Sequence, residues 1–259
     1  MVEAKIFFNK YYYLTIFIIA KNYITRKYQD SYLGALWTLI VPATQIAIYA
    51  FVMPKIMKFP SEDYVPFLIS SVLFWTFLNN VILGSASSLI ANATTIGRCL
   101  VSKTIFPLAE LGQHLYHFAL SLLIGYIFSC FAYGVFSIKI LLLPLVMIPI
   151  LMALTPVLIA IAFITVYIRD FKEFIAIIMN LAFWATPIVY PITIFPPEKQ
   201  WIFNFNPFYV MMKPISGLVL NGSLPSLYDI LRLCALIVIS STISYMIYKK
   251  LRRNFIFYL

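Results

Sequence analysis

A chain of 259 residues that is 63% hydrophobic and 11% charged, with a mean hydropathy of +0.93, has too little polar surface to enclose a water-soluble core, and it reads as an integral membrane protein. A net charge of +10 would suit nucleic acid if it were gathered in one soluble patch, but the basic residues lie scattered between apolar runs, which excludes that use and points to membrane topology. The runs are continuously apolar and too long for barrel strands, so the fold class is all-α and six transmembrane helices are expected.

Residues 1–30 form the first unit. Their apolar run Tyr11–Ala20, bounded by Lys10 and Lys21, is too short to cross a bilayer but suits an amphipathic helix lying in the interface. Lys21-Asn22 follow it where a cleavage site would need small residues, so the run is retained. The basic stretch Arg26-Lys27 then leads into a segment without charge from Ser31 to Pro54, with Tyr28, Tyr32 and Trp37 suited to the headgroup zone.

The first span is expected at 32–53 and the second at 66–90, the latter growing polar through Ser85, Ser87, Ser88 and Asn92 as it leaves the membrane. The third is expected at 108–136. The fourth covers 141–167, with Pro144, Pro149 and Pro156 able to kink or break it, and the fifth covers 174–192. Residues 196–225 are apolar yet cut by Pro196-Pro197, Pro207, Pro214 and Pro225 into pieces too short to cross, so short re-entrant helices on the external side are predicted. The sixth span, 228–248, ends in Lys249-Lys250-Leu251-Arg252-Arg253. The whole chain forms one transmembrane domain. With six spans, most of the basic residues fall on the side of the N-terminus, which the positive-inside bias makes the cytosol, and both termini lie there.

Chemistry-bearing motifs are few. No Gly is followed by Lys, so there is no phosphate loop, and any ATP belongs to a partner chain. Glu110, His114 and His117 share one helical face and fit either a metal or proton site or, more simply, polar groups that find partners inside the bundle or in a wet vestibule. Asp229 and Arg232, at i and i+3, suit an ion pair near the external surface. Cys99, Cys130 and Cys234 are isolated and lack metal-ligand spacing, so no metal site and no catalytic group is assigned. Most of the 18 Tyr and 23 Phe suit interfacial belts and lipid-facing packing. A subset, Trp37, Tyr49, Trp75, Phe183, Trp184, Tyr190, Trp201, Phe203 and Phe205, could instead line a passage in which ring faces slide along sugar C–H faces.

The stretch Lys27-Tyr28, Ser31, Leu33-Gly34, Leu36-Trp37 and Pro42 resembles the start of the first span in permease subunits of type-2 ATP-binding-cassette exporters. Phe74-Trp75-Thr76-Phe77-Leu78, Lys103-Thr104-Ile105-Phe106-Pro107 and Tyr167-Ile168-Arg169-Asp170-Phe171 continue the likeness in order. Trp184-Ala185-Thr186-Pro187-Ile188-Val189-Tyr190-Pro191 followed by Asn206-Pro207-Phe208 resembles the polysaccharide (O-antigen or teichoic acid) exporting branch. The chain departs from the family around Pro107, where Phe106 precedes the proline and Leu108-Ala109-Glu110 follow in place of basic residues.

The resemblance implies a channel-forming subunit in a bacterial inner membrane. A second copy of the chain and two copies of a nucleotide-binding ATPase would complete it, with ATP and Mg bound by the ATPase and no cofactor in this chain. The cargo would be an undecaprenyl-pyrophosphate-linked polysaccharide of O-antigen type. Residues 95–106 would couple to the ATPase through Thr95, Ile96, Arg98, Leu100, Lys103 and Phe106, with the interfacial helix beside them. Arg26, Lys27 and Arg98 would receive the lipid headgroup, and Gly34 would mark either close helix approach or ordinary packing, as would Ser31. Export of a drug or other small molecule, and an embedded enzyme acting on a lipid carrier, stand as alternatives; the latter lacks any acidic, nucleophilic or metal cluster.

Overall fold

A computed structural model describes residues 10–26, 32–58, 60–98, 101–251 and 258, and all regular structure among them is helical. The helices are α1 (Lys10–Arg26), α2 (Trp37–Met57), α3 (Ser61–Ala91), α4 (Ala93–Arg98), α5 (Ile105–Tyr133), α6 (Leu143–Tyr167), α7 (Phe171–Ala185), α8 (Pro207–Asn221) and α9 (Leu227–Leu251). Short 3-10 helices occupy Gly34–Leu36, Ile138–Leu142, Ile192–Ile194 and Pro197–Phe205.

Five helical segments are long and apolar enough to cross a bilayer: Trp37–Met57, Glu62–Ala91, Ile105–Tyr133, Ile138–Tyr167 and Leu227–Leu251. The second of these is the core, 67% buried, whereas the first and last are 17% buried. Small side chains explain how α3 holds that place. Ser70, Ser71, Ser85 and Ser88 are all buried on it, and such residues let helix backbones approach closely in lipid. Where α5 crosses, a Cβ on Gly125 would stand 2.6 Å from Ile69 Cγ2, so only glycine fits the contact. Beyond α5, α3 packs on α6, α8, α2 and α7, and α6 packs on α9.

The helix found at the place of the expected fifth span is shorter than a span. In place of a helix over 174–192, α7 holds 15 residues, about 22 Å, and stops at Ala185. Pro187 is the cause: its ring drives Thr186 out of the α region, to φ −108° and ψ 137°. The proline-based division of 196–225 is corrected in the opposite sense, because α8 runs unbroken through Pro214. Likewise α6 continues past Pro149 and Pro156, with Pro144 in its first turn, where a missing N–H costs nothing. The first span begins at Trp37 rather than at residue 32. Gly34 turns the chain ahead of it with φ +48°, in the left-handed region, and none of the described residues lies within 4 Å of where its Cβ would be. That backbone conformation is one that glycine adopts without strain.

Candidate functional site

Helix α1 lies along α5, burying Tyr12 and Ala20, with Ala20 Cβ 3.3 Å from the Cβ position of Gly112. Two hydrogen bonds pin it. Tyr12 Oη and Thr104 Oγ1 are 2.8 Å apart, and Asn92 Nδ2 donates to Tyr23 Oη at 2.8 Å. Burial, reinforced by the charge of Glu110, pushes the Tyr23 phenol up to about 12, so it meets Asn92 as a neutral acceptor. The segment joining α3 to α5 is therefore fastened to α1 at both ends. Within it Thr95 and Arg98 are exposed, as is Arg26 at the end of α1. Phe106 is buried with Leu89, Ala162, Phe163 and Val166, and Ile96 packs on the same cluster. Lys103 is half-buried. Lys27 and Leu100 lie outside the described residues, as do Ser31, Cys99 and the opening part of residues 1–30.

Halfway along the bundle, polar side chains from three helices meet at a small cavity. Gln45 of α2, Thr76 and Asn80 of α3, and His114, His117 and Ser121 of α5 line its volume of about 40 Å3, enough for a water molecule. His114 Nε2 stands 3.4 Å from Glu110 Oε2. Gly84 makes room for this pair, since a Cβ there would lie 2.9 Å from the same oxygen. Among the described residues no three His, Cys, Asp or Glu side chains converge for a metal ion; Glu110 and His114 pair beside Gly84, and His117 lines the cavity, so this face carries a polar seam into the bundle. Gln45, Thr76, Asn80 and Ser121 escaped the sequence reading. Their signal was there: Thr76 and Asn80 at i, i+4, facing His114, His117 and Ser121 at i, i+3, i+7 in otherwise apolar spans. The seam opens outward at Asn80, which is exposed; Asn180, in the middle of α7, is exposed as well.

At the other end, the break after α7 leaves carbonyls that lipid cannot satisfy, and four of them have partners within the chain. Tyr190 Oη donates to Trp184 O at 2.7 Å, Asn206 Nδ2 to Ala185 O at 3.3 Å, Ile188 N to Thr186 O at 2.7 Å, and Tyr64 Oη to Val189 O at 2.7 Å. Asn206 does more. Its Nδ2 also donates to Thr186 Oγ1 at 2.8 Å, while its Oδ1 accepts from Phe208 N and Tyr209 N and caps α8. One side chain thus joins the end of α7 to the start of α8.

The proposed passage aromatics divide. Trp75, Phe183 and Trp184 form one chain of rings with Phe208, at centroid distances of 5.8 Å (Trp75–Phe183), 5.3 Å (Trp75–Phe208) and 5.2 Å (Phe183–Trp184). Tyr190 and Phe203 meet through Phe195, and Trp201 meets Phe205 at 5.8 Å. Trp75 and Phe203 are buried in the core, whereas Trp184, Trp201 and Phe205 are exposed. Tyr49 packs against the main core cluster, and Trp37 is exposed at the start of α2. The ion pair expected between Asp229 and Arg232 is present at 3.7 Å, but Lys213 of α8 is the nearer partner at 2.8 Å. Ser226 and Asp229 complete the arrangement as a reciprocal cap at the start of α9.

Comparison with known proteins agrees with this architecture. The model of the ABC-2 type transporter family matches residues 15–220, and the chain belongs to that family. Two proteins of Klebsiella pneumoniae, each named O-antigen export system permease protein RfbA, are 26% identical to it, each match covering 86% of this chain and 87% of the relative. A protein of the same name from Myxococcus xanthus is 23% identical, with 92% of each chain covered.

Proposed function

We propose that this chain is the membrane-spanning subunit of an ATP-driven exporter that carries lipid-linked polysaccharide of O-antigen type from the cytosol across a bacterial inner membrane. The observation that carries the reading is the outward face of the bundle. Asn80, which lines the same cavity as Gln45, and Asn180 of α7 are amides exposed in mid-helix, and polar groups at that depth belong against a water-filled path or another protein surface rather than lipid. A second copy of the chain, set across that face, encloses a path whose amides hydrogen-bond sugar hydroxyls while Trp184 offers a ring face. The names of the relatives supply the class of cargo.

In this reading α7 and the extended segment after it make the fifth of six crossings, and the Pro197–Phe205 helix with α8 is the re-entrant exit gate. The bias of basic residues then puts both termini in the cytosol. Two copies of a separate ATPase bind ATP and Mg and dock at Thr95 and Arg98, with α1 braced alongside. Arg26, Lys27 and Arg98 receive the undecaprenyl pyrophosphate headgroup. Deletion of the gene tests the proposal: lipid-linked polymer should accumulate inside the cell and surface polysaccharide should be lost until the gene is restored. Intact surface polysaccharide in the deletion strain would defeat it.

A further inference from the structure

A cavity of about 460 Å3 separates the Pro197–Phe205 3-10 helix from α9. That short helix packs on α8, and the space beside it is walled by α9 through Arg232, Ala235, Leu236 and Ile239. These four stand at i, i+3, i+4 and i+7, one face of the helix, so the wall changes from a guanidinium to a purely apolar strip over about 10 Å. Trp201, Asn204 and Phe205 roof it, and both rings are well exposed, at 59% and 78%. Arg232 lies at the opposite end of α9 from Lys249-Lys250, about 25 Å away along the helix, and so at the headgroup level of the other leaflet. Its charge is not used up there. Asp229 is engaged at shorter range by Lys213 at 2.8 Å and by Ser226 at 3.0 and 2.7 Å, with Arg232 held alongside at 3.7 Å.

We propose that this cavity seats one anionic phospholipid, its phosphate on Arg232 and one acyl chain running down Ala235, Leu236 and Ile239 beneath Trp201 and Phe205. A cation at headgroup depth above an apolar groove open at the side matches a charged head and a hydrocarbon tail in both order and depth. Lipid then fills the space between the 3-10 helix and α9, and the position of that short helix responds to the lipid composition of its leaflet. The inference does not depend on the cargo proposed above.

Fluorescence quenching tests it. A variant with Trp37, Trp75 and Trp184 replaced by Phe keeps Trp201 as the only tryptophan. It is placed in phosphatidylcholine vesicles containing either phosphatidylglycerol or phosphatidylcholine with brominated chains. Trp201 should be quenched by the anionic lipid at about fivefold lower content than by the neutral one, the worth of one cation at an anionic surface. Arg232→Gln should abolish the preference, Arg232→Lys should keep most of it, and Ala235→Phe should reduce quenching by either lipid by filling the groove. Quenching unaffected by Ala235→Phe, or a preference that survives Arg232→Gln, overturns the proposal. So does disulfide cross-linking between copies through Ile239→Cys, which would make a second chain the occupant. Displacement by undecaprenyl phosphate at a tenth of the phospholipid content would assign the groove to a polyprenyl carrier and overturn it equally. If the tryptophan replacements prevent folding, native mass spectrometry of lipid retained by the unaltered chain, Arg232→Gln and Ala235→Phe makes the same decision.

Discussion

Asn206 satisfies two helix ends at once, and its two halves can be separated by mutation. Asn206→Asp keeps an acceptor for Phe208 N and Tyr209 N but removes the donor to Ala185 O and Thr186 Oγ1, leaving Ala185 O unpaired. Loss of such hydrogen bonds in a partly buried site should cost about 1–3 kcal/mol, read as a lower midpoint in thermal unfolding of the detergent-solubilised chain. Asn206→Ala, which also loses the cap, should fall further by about 1 kcal/mol. An Asn206→Asp midpoint equal to that of the unaltered chain would mean that the bridge to α7 is not what Asn206 supplies. At this scale the sequence was legible only in part. Asn206-Pro207 stood out by resemblance, and Pro207 announced a helix start, but nothing local tells that an amide will reach a carbonyl 21 positions earlier. Gly34 shows the reverse case: its place before a span is visible, yet a left-handed turn and a close helix contact call for the same residue.

Among the elements, α3, α5 and α1 make a stack whose contacts are narrow enough to be tested singly. Gly125→Val would set side-chain atoms against Ile69 and Leu73 of α3, with the first contact at 2.6 Å, and overpacking of that kind costs about 1–3 kcal/mol. The expected outcome is aggregation or a reduced yield of monodisperse protein, whereas Gly97→Ala, with none of the described residues within 4 Å of the added Cβ, should fold as the unaltered chain does. The attachment of α1 can be weakened more gently. Tyr12→Phe alone removes the hydrogen bond to Thr104 while keeping the ring and leaving the contact of Thr104 with Ser102 in place. That change should lower ATP hydrolysis stimulated by the permease without lowering binding of the ATPase; unchanged stimulation would separate α1 from coupling. The long elements were legible because continuous apolar runs and flanking charges are strong signals. The end of α7 was not, since Thr186-Pro187 breaks a helix in a run that hydropathy alone treats as unbroken.

For the whole molecule, the distribution of polarity matters more than any one residue. The single chain buries α3 and leaves α2, α7 and α9 largely uncovered, and it turns the amides of Asn80 and Asn180 outward. Sequence periodicity could find the seam of His114 and His117, but not which side of it faces out, because that follows from how α2 and α5 straddle α3. Replacing Asn80 and Asn180 together by Leu should leave assembly with the ATPase intact and slow export about tenfold, as the loss of two hydrogen bonds of about 0.7 kcal/mol each would give. The most direct test of the export path is transport itself. The purified permease and its ATPase are reconstituted in liposomes with lipid-linked polysaccharide on the side of the ATPase, and the polymer reaching the opposite side is measured with a polymer-degrading enzyme confined there. ATP should make the polymer susceptible in the unaltered complex and about tenfold more slowly with Asn80→Leu and Asn180→Leu. Polymer that stays protected despite ATP hydrolysis, or that crosses at the unaltered rate in the double variant, would contradict the path described.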